Sequence, residues 1–118
     1  MPSSIKISIQ QARDAMERGE FGDEVIRAHE RVAVVLTQDW CPRWAAMKEW
    51  IYALPDDFAL FEFVYNKTEI FESFMAFKEK VWGNDRIPYI RFYCDGTLIS
   101  QSNNLTREEF LKRLGLPP

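Results

Sequence analysis

The feature that most constrains this chain is the run Val32-Ala33-Val34-Val35-Leu36. Five consecutive apolar residues, three of them β-branched, show no polar/apolar alternation. A strand with one wet face alternates, whereas an unbroken run suits a strand covered on both faces. A sheet covered on both faces needs helices on both sides, which points to an α/β architecture.

The remaining elements agree with that class. Ser8-Ile9-Gln10-Gln11 reads as a capping box, followed by Ile9, Ala12 and Met16 at helical spacing and closed by Gly19. Asp23 opens a second short helical stretch carrying Val25, Ile26 and His29. After the apolar strand, Pro42 fits the first turn of a helix with a Trp44, Met47 and Ile51 stripe. The run from Phe58 to Tyr65 is a second strand, and Asn66-Lys67-Thr68-Glu69 reads as another capped start. Ile70, Phe71, Phe74, Met75 and Val81 then form an apolar helical face, ended by Gly83-Asn84-Asp85. Asp95-Gly96 between two β-rich stretches is the strongest hairpin signal in the chain. Thr106-Arg107-Glu108-Glu109 is a further capping box, opening a last helix that Gly115 stops. The expected order is helix, strand, helix, strand, helix, hairpin, helix, in one domain spanning 1–118.

Charge and composition narrow the function classes. Lys and Arg total 15 against 18 Asp and Glu, a net charge of −3, so there is no basic excess to neutralise phosphates. Nucleic acid and anionic membrane are therefore poor partners for the chain. No apolar run approaches the ~18 residues of a membrane span, and no charged region precedes a long apolar one at the start. A cytoplasmic location is the resulting expectation. With two cysteines and one histidine, His29, a four-ligand structural zinc site would need several carboxylates, so no metal is expected. His29 reads as an ordinary surface residue.

Chemistry concentrates where the buried strand ends, at Thr37-Gln38-Asp39-Trp40-Cys41-Pro42-Arg43-Trp44. A thiol at a helix amino terminus faces unpaired backbone N–H groups and the positive end of the helix dipole, both of which favour the thiolate. Arg43 can add positive charge or point into solvent. The alternative is a buried, inert cysteine serving as a small hydrophobe.

This arrangement resembles the thioredoxin superfamily over about residues 20–116. Trp40-Cys41-Pro42-Arg43-Trp44 stands where those proteins carry Trp-Cys-Gly-Pro-Cys, and Ile87-Pro88 before a strand, a glycine turn and a second strand stands where they carry a cis-proline. The resemblance implies a three-layer thioredoxin-like fold with a central mixed β-sheet and flanking helices. It also implies Cys41 as the catalytic nucleophile and Trp40, Pro42, Arg43, Trp44, Ile87 and Pro88 as substrate-binding positions.

The departures from the family pattern are as informative. Trp44 occupies the resolving-cysteine position, so no adjacent thiol can release a mixed disulfide by internal attack. The family's buried acid, six residues before the cysteine, is here Val35. With no resolving thiol there is nothing for such an acid to deprotonate, so the two losses agree. Cys94 lies six residues beyond Pro88, ~20 Å along an extended strand. A disulfide needs Cα atoms within about 7 Å, so Cys94 reads as a strand-end residue without redox duty. Glu62, near where many members carry a lysine, reads as a solvated or strand-edge carboxylate.

Trp40, Trp44 and Trp82 converge in such a fold, as an apolar rim for a peptide or with Trp44 and Trp82 packed inward. The implied activity is monothiol exchange with protein thiols or disulfides, with an external reductant thiol completing the cycle and no cofactor. A redox-inactive protein-binding module and a peroxide-sensing thiol are the alternatives.

Overall fold

A computed structural model describes Pro2 and residues 4–117. Strand β2 (Arg31–Thr37) occupies the centre of a five-stranded sheet, with β1 (Ser4–Lys6), β3 (Ala59–Val64), β4 (Tyr89–Cys94) and β5 (Thr97–Ser102) in the order β1-β3-β2-β4-β5. β1, β3 and β2 run parallel, while β4 is antiparallel to both β2 and β5. Three-residue β1 is a strand that the sequence pattern does not announce. All three of its residues are exposed, so it carries no apolar pattern.

The absence of alternation in β2 has the expected cause. Val32, Val34 and Leu36 face one core with α1 (Ile9–Arg18), α2 (Asp23–Ile26) and α4 (Phe71–Lys80). Ala33 and Val35 face the other with α3 (Pro42–Ile51) and α5 (Arg107–Leu114). All five are fully buried. The capping boxes at Ser8 and Thr106 are both formed, with Gly19 and Gly115 left-handed at the opposite helix ends. Asp95 and Gly96 take φ values of 51° and 78°, the signature of a type I′ hairpin turn. A Cβ at Gly96 would lie 2.7 Å from the guanidinium carbon of exposed Arg27, which would have to move aside, and the φ of 78° strains any other residue there.

Three local expectations need correction. Helix α2 ends at Ile26, which leaves His29 outside it, exposed, with Nδ1 accepting the Arg31 N–H at 3.1 Å. Residues Asn66–Glu69 do not cap a helix. Tyr65–Lys67 forms a 3₁₀ turn, the Thr68 hydroxyl donates back to the Tyr65 carbonyl at 2.7 Å, and α4 starts only at Phe71. Val81 is exposed at the end of α4, and Phe77 takes the core position instead. Ile70, Phe71, Phe74 and Met75 keep the face that the spacing gives them.

The core facing α1 and α4 contains two buried cations. Arg91, on β4, donates to the hydroxyls of Tyr89 and Tyr93, each at 2.8 Å, and to Glu20 at 2.6 Å. Its guanidinium lies 4.1 Å from the centre of the Trp82 ring, and the Tyr93 hydroxyl donates to the second Glu20 oxygen at 2.7 Å. Burial opposes the Arg91 charge, but Tyr93 and Glu20 outweigh it and hold the guanidinium firmly protonated. Trp82 is thereby a packing residue: its ring meets Phe21, Phe74, Phe77 and Tyr89, and its N–H donates to the Gly19 carbonyl at 2.9 Å.

Lys78 is the second cation, 1% exposed, with its ammonium donating to the Asn84 carbonyl at 2.8 Å. Burial pulls its pKa down to about 8, with Glu79 and Asp85 acting in the opposite sense. In the unfolded chain a lysine titrates near 10.4, so between about pH 8 and pH 10.4 the unfolded state binds more protons and stability rises with pH. Lys78→Met is expected to remove that rise. It should also gain about 1–2 kcal/mol at pH 7, the lifted cost of a buried charge less the hydrogen bond lost by Asn84. Urea denaturation of both proteins from pH 7 to 9.5 measures the two effects, and parallel pH profiles would refute the assignment.

Candidate functional site

β2 ends at Thr37, and the loop Gln38–Cys41 carries the chain into α3. A backbone hydrogen bond from the Cys41 N–H to the Gln38 carbonyl, at 3.2 Å, closes this loop as a tight turn. Cys41 is the N-cap of α3 and Pro42 its first helical residue, where the missing N–H costs nothing. The Cys41 sulfur accepts the Trp44 backbone N–H at 3.4 Å, so an orphan donor of the first helical turn is directed at Sγ.

Gln38, which is not among the residues that the sequence singles out, organises the loop. It is a polar side chain 8% exposed. Its Oε1 accepts the Trp40 indole N–H at 2.7 Å, and its Nε2 donates to the Tyr65 hydroxyl at 3.2 Å. Burial raises the Tyr65 pKa, and the Gln38 hydrogen bond opposes the rise. On the outer side, Asp39 and Asn66 exchange two hydrogen bonds, 3.0 Å from the Asp39 N–H and 2.6 Å to its carboxylate, and Lys67 pairs with Asp39 at 2.9 Å. The Asn66 and Lys67 contacts lower the Asp39 pKa. The loop is thus fixed to the start of the β3–α4 connection from both sides. A glutamine directly after a buried strand and just before Trp-Cys is the one local signal of this role.

The seven residues singled out in the sequence divide into three groups. Trp40 is 65% exposed, its ring held by Gln38, and Pro42 and Arg43 are exposed beside it. Cys41 is 4% exposed and Trp44 3%, both within the core formed with α5. Of the two placements open to Trp44, the structure shows inward packing, so its ring does not belong to the surface rim. Pro88 is buried, the Ile87–Pro88 peptide bond is cis, and half-buried Ile87 contacts both cores. β4 begins at Tyr89, paired with Leu36, which brings Ile87 and Pro88 to the same sheet end as Cys41.

Two other expected placements are settled by register. Cys94 pairs with Arg31, at the opposite end of β2 from Cys41, and both cysteines are free. Cys94 is half-buried there, and donor atoms of Glu30, Cys94 and Asp95 lie within 4.8 Å of one another. Glu62 is not a solvated edge carboxylate. It is 3% exposed, accepts the Tyr52 hydroxyl at 2.7 Å and the Ser4 hydroxyl, and lies beside Val35 in the sheet. Strand β1, which has no sequence signature, supplies one of its two side-chain partners and pairs with it through Lys6. Burial, then the Glu62 hydrogen bond and charge, raise the Tyr52 pKa, so the phenol remains the donor.

No family model matches the chain, and no curated protein matches it significantly by sequence. Solved structures do. Thioredoxin f2 of Chlamydomonas reinhardtii superposes with a TM-score of 0.67 at 12% identity, covering 98% of this chain and 99% of that one. Thioredoxin f from spinach chloroplast gives 0.67 at 12% identity over 96% and 84%. A mutant thioredoxin from Halobacterium salinarum gives 0.60 at 17% identity over 96% and 86%. Among the described residues no helix is long and apolar enough to cross a membrane. Sheet order, covering helices and these superpositions agree: the chain adopts the thioredoxin fold.

Proposed function

We propose that the protein is a monothiol thioredoxin-like thiol–disulfide exchange protein. The observation that carries the reading is the Cys41 sulfur at the N-cap of α3, accepting a backbone N–H and lying at the sheet end that also holds Ile87 and Pro88. In the first step the Cys41 thiolate attacks a protein disulfide. A Cys41–substrate disulfide forms, and the second substrate sulfur leaves as thiolate. An external thiolate, from the substrate or a separate thiol, then attacks the substrate sulfur of that bond and returns Cys41 as thiolate. With Trp44 at the resolving position and packed in the core, no step is internal. The substrate backbone would lie along Ile87 as an added extended segment, with the exposed Trp40 ring beside it.

Incubation with a peptide disulfide is expected to give an intact-mass adduct on Cys41 with one equivalent of released thiol, reversed by added thiol. Absence of the adduct at any pH from 6 to 9 would overturn the reading. One observation favours a second reading, a redox-inactive module that binds a partner protein through Trp40. Cys41 is 4% exposed while Trp40 is 65% exposed, so the surface offers the ring more readily than the sulfur.

A further inference from the structure

The loop that carries Ile87 and Pro88 is held by side chains outside the thiol site. Asn84 and Asn103 face each other as a closed amide pair, Asn84 Nδ2 donating to Asn103 Oδ1 at 3.0 Å and Asn103 Nδ2 to Asn84 Oδ1 at 2.8 Å. Asn103 Nδ2 also donates to the Pro88 carbonyl at 3.1 Å. The Asn84 Oδ1 accepts the Arg86 N–H at 3.1 Å, and its carbonyl accepts the Lys78 ammonium at 2.8 Å. The Asn84 N–H donates to the Lys78 carbonyl at 3.2 Å. One asparagine is thus tied to the end of α4, to the loop and to the residue that follows β5.

Each partner comes from a firm element. Lys78 lies in the last turns of α4, fully buried. Asn103 directly follows Ser102, which pairs with Ile90 in the sheet, so its position is set by the β4–β5 ladder. Between these two anchors the chain from Gly83 to Pro88 has no regular secondary structure and no ladder of its own. A segment of that kind ordinarily samples several conformations, and side-chain bonds to its backbone restrict it. The Pro88 carbonyl is bonded by a side chain from outside the loop, and it lies one residue from Ile87.

We propose that the Asn84–Asn103 pair, anchored on Lys78, is a positioning brace that holds the Ile87 backbone in the conformation presented to the substrate peptide. The inference rests on the exchange reading for its substrate, and on the hydrogen bonds alone for the brace. Preorganisation of a binding edge lowers the ordering cost of association rather than the reactivity of the sulfur. Loss of the brace therefore weakens capture of a peptide and leaves reaction with a small reagent alone.

The test compares Asn103→Ala and Asn103→Asp with the unmodified chain in three measurements. Deuterium exchange is expected to rise over residues 84–89 in Asn103→Ala, with residues 32–36 unchanged. KM for a peptide disulfide is expected to rise about tenfold, the size of one or two lost hydrogen bonds, with kcat unchanged. Alkylation of Cys41 by iodoacetamide is expected to keep its rate. Asn103→Asp retains an acceptor for Asn84 Nδ2 but loses the donor to Pro88, and should resemble the alanine variant. An aspartate variant that behaves like the unmodified chain would overturn the role of the Pro88 contact. Unchanged exchange over 84–89, or peptide capture and alkylation weakening together, would overturn the brace. A chain that never reacts with the peptide disulfide overturns the exchange reading instead, and the deuterium measurement then decides the brace by itself.

Discussion

In a chain whose other free thiol is removed by Cys94→Ser, Cys41→Ser is expected to abolish covalent capture of partner proteins while leaving the fold in place. The sulfur is the only thiol at its end of the sheet, so no neighbouring group can replace it in disulfide chemistry. The hydroxyl of serine is a strong N-cap acceptor, and it can take the Trp44 N–H that the sulfur takes now. Helix α3 should therefore be retained, with the melting temperature within a few degrees of the original. The measurement, made in a Cys94→Ser background so that the other free thiol captures nothing, is a pull-down from extract under non-reducing conditions, with partners identified by mass spectrometry after release by thiol. Exchange through Cys41 predicts an empty release fraction for the serine variant. An unchanged set of partners, eluted without thiol, would show that the Trp40 surface binds by itself and would replace exchange by the binding-module reading.

The largest expected effect on stability lies elsewhere, at Glu20→Ala. The Arg91 side chain is 5% exposed and that of Glu20 32%. Removing the carboxylate leaves a buried guanidinium and the Tyr93 hydroxyl each without an anionic partner. Breaking a fully buried pair from one side costs about 3–5 kcal/mol. The partial exposure of Glu20 lets water replace some of the lost contact, so about 2–4 kcal/mol is expected here. The Tyr89 and Tyr93 hydroxyls and the Trp82 ring still face Arg91, so the variant should fold with a lowered denaturant midpoint. The double variant Glu20→Ala/Arg91→Met is expected to recover a large part of the loss, because it removes the uncompensated charge as well. A single-variant loss below about 1 kcal/mol in urea titration would mean that the tyrosines and Trp82 suffice to hold the guanidinium.

Residues whose role depends on near neighbours in the chain are legible from the sequence alone. The β2 run, the capping boxes at Ser8 and Thr106 and the Asp95-Gly96 turn each carry their cause within a few positions, and each is formed. Cys41 at a helix start is of the same kind. What stays hidden depends on residues distant in the chain. Glu62 looks like a strand carboxylate until Ser4 and Tyr52 converge on it, and β1 has no pattern of its own. Arg91 is a single charge within the run Tyr89-Ile90-Arg91-Phe92-Tyr93. Its burial needs Glu20, 71 positions away, which no local window contains. The ring of Trp44 has two open placements because a helix residue three after the cap can face either way, and only the docking of α5 settles it. Asn84 and Asn103 read as loop composition, and their pairing exists only because β5 returns alongside β4.

The register of β2 against β4 has a thermodynamic consequence for Cys41. Leu36 pairs with Tyr89 at one end of the ladder and Arg31 with Cys94 at the other, so five residues of extended chain, ~17 Å, separate the two thiol ends. That is beyond disulfide reach. A dithiol protein oxidises within one molecule, and its ratio of oxidised to reduced forms is independent of its own concentration. On the exchange reading every disulfide made by Cys41 joins two molecules, so its linked population depends on the partner as well as on the potential. On that reading, the ratio of partner disulfide to the thiol its opening releases, as much as ambient potential, sets how much of the protein is linked.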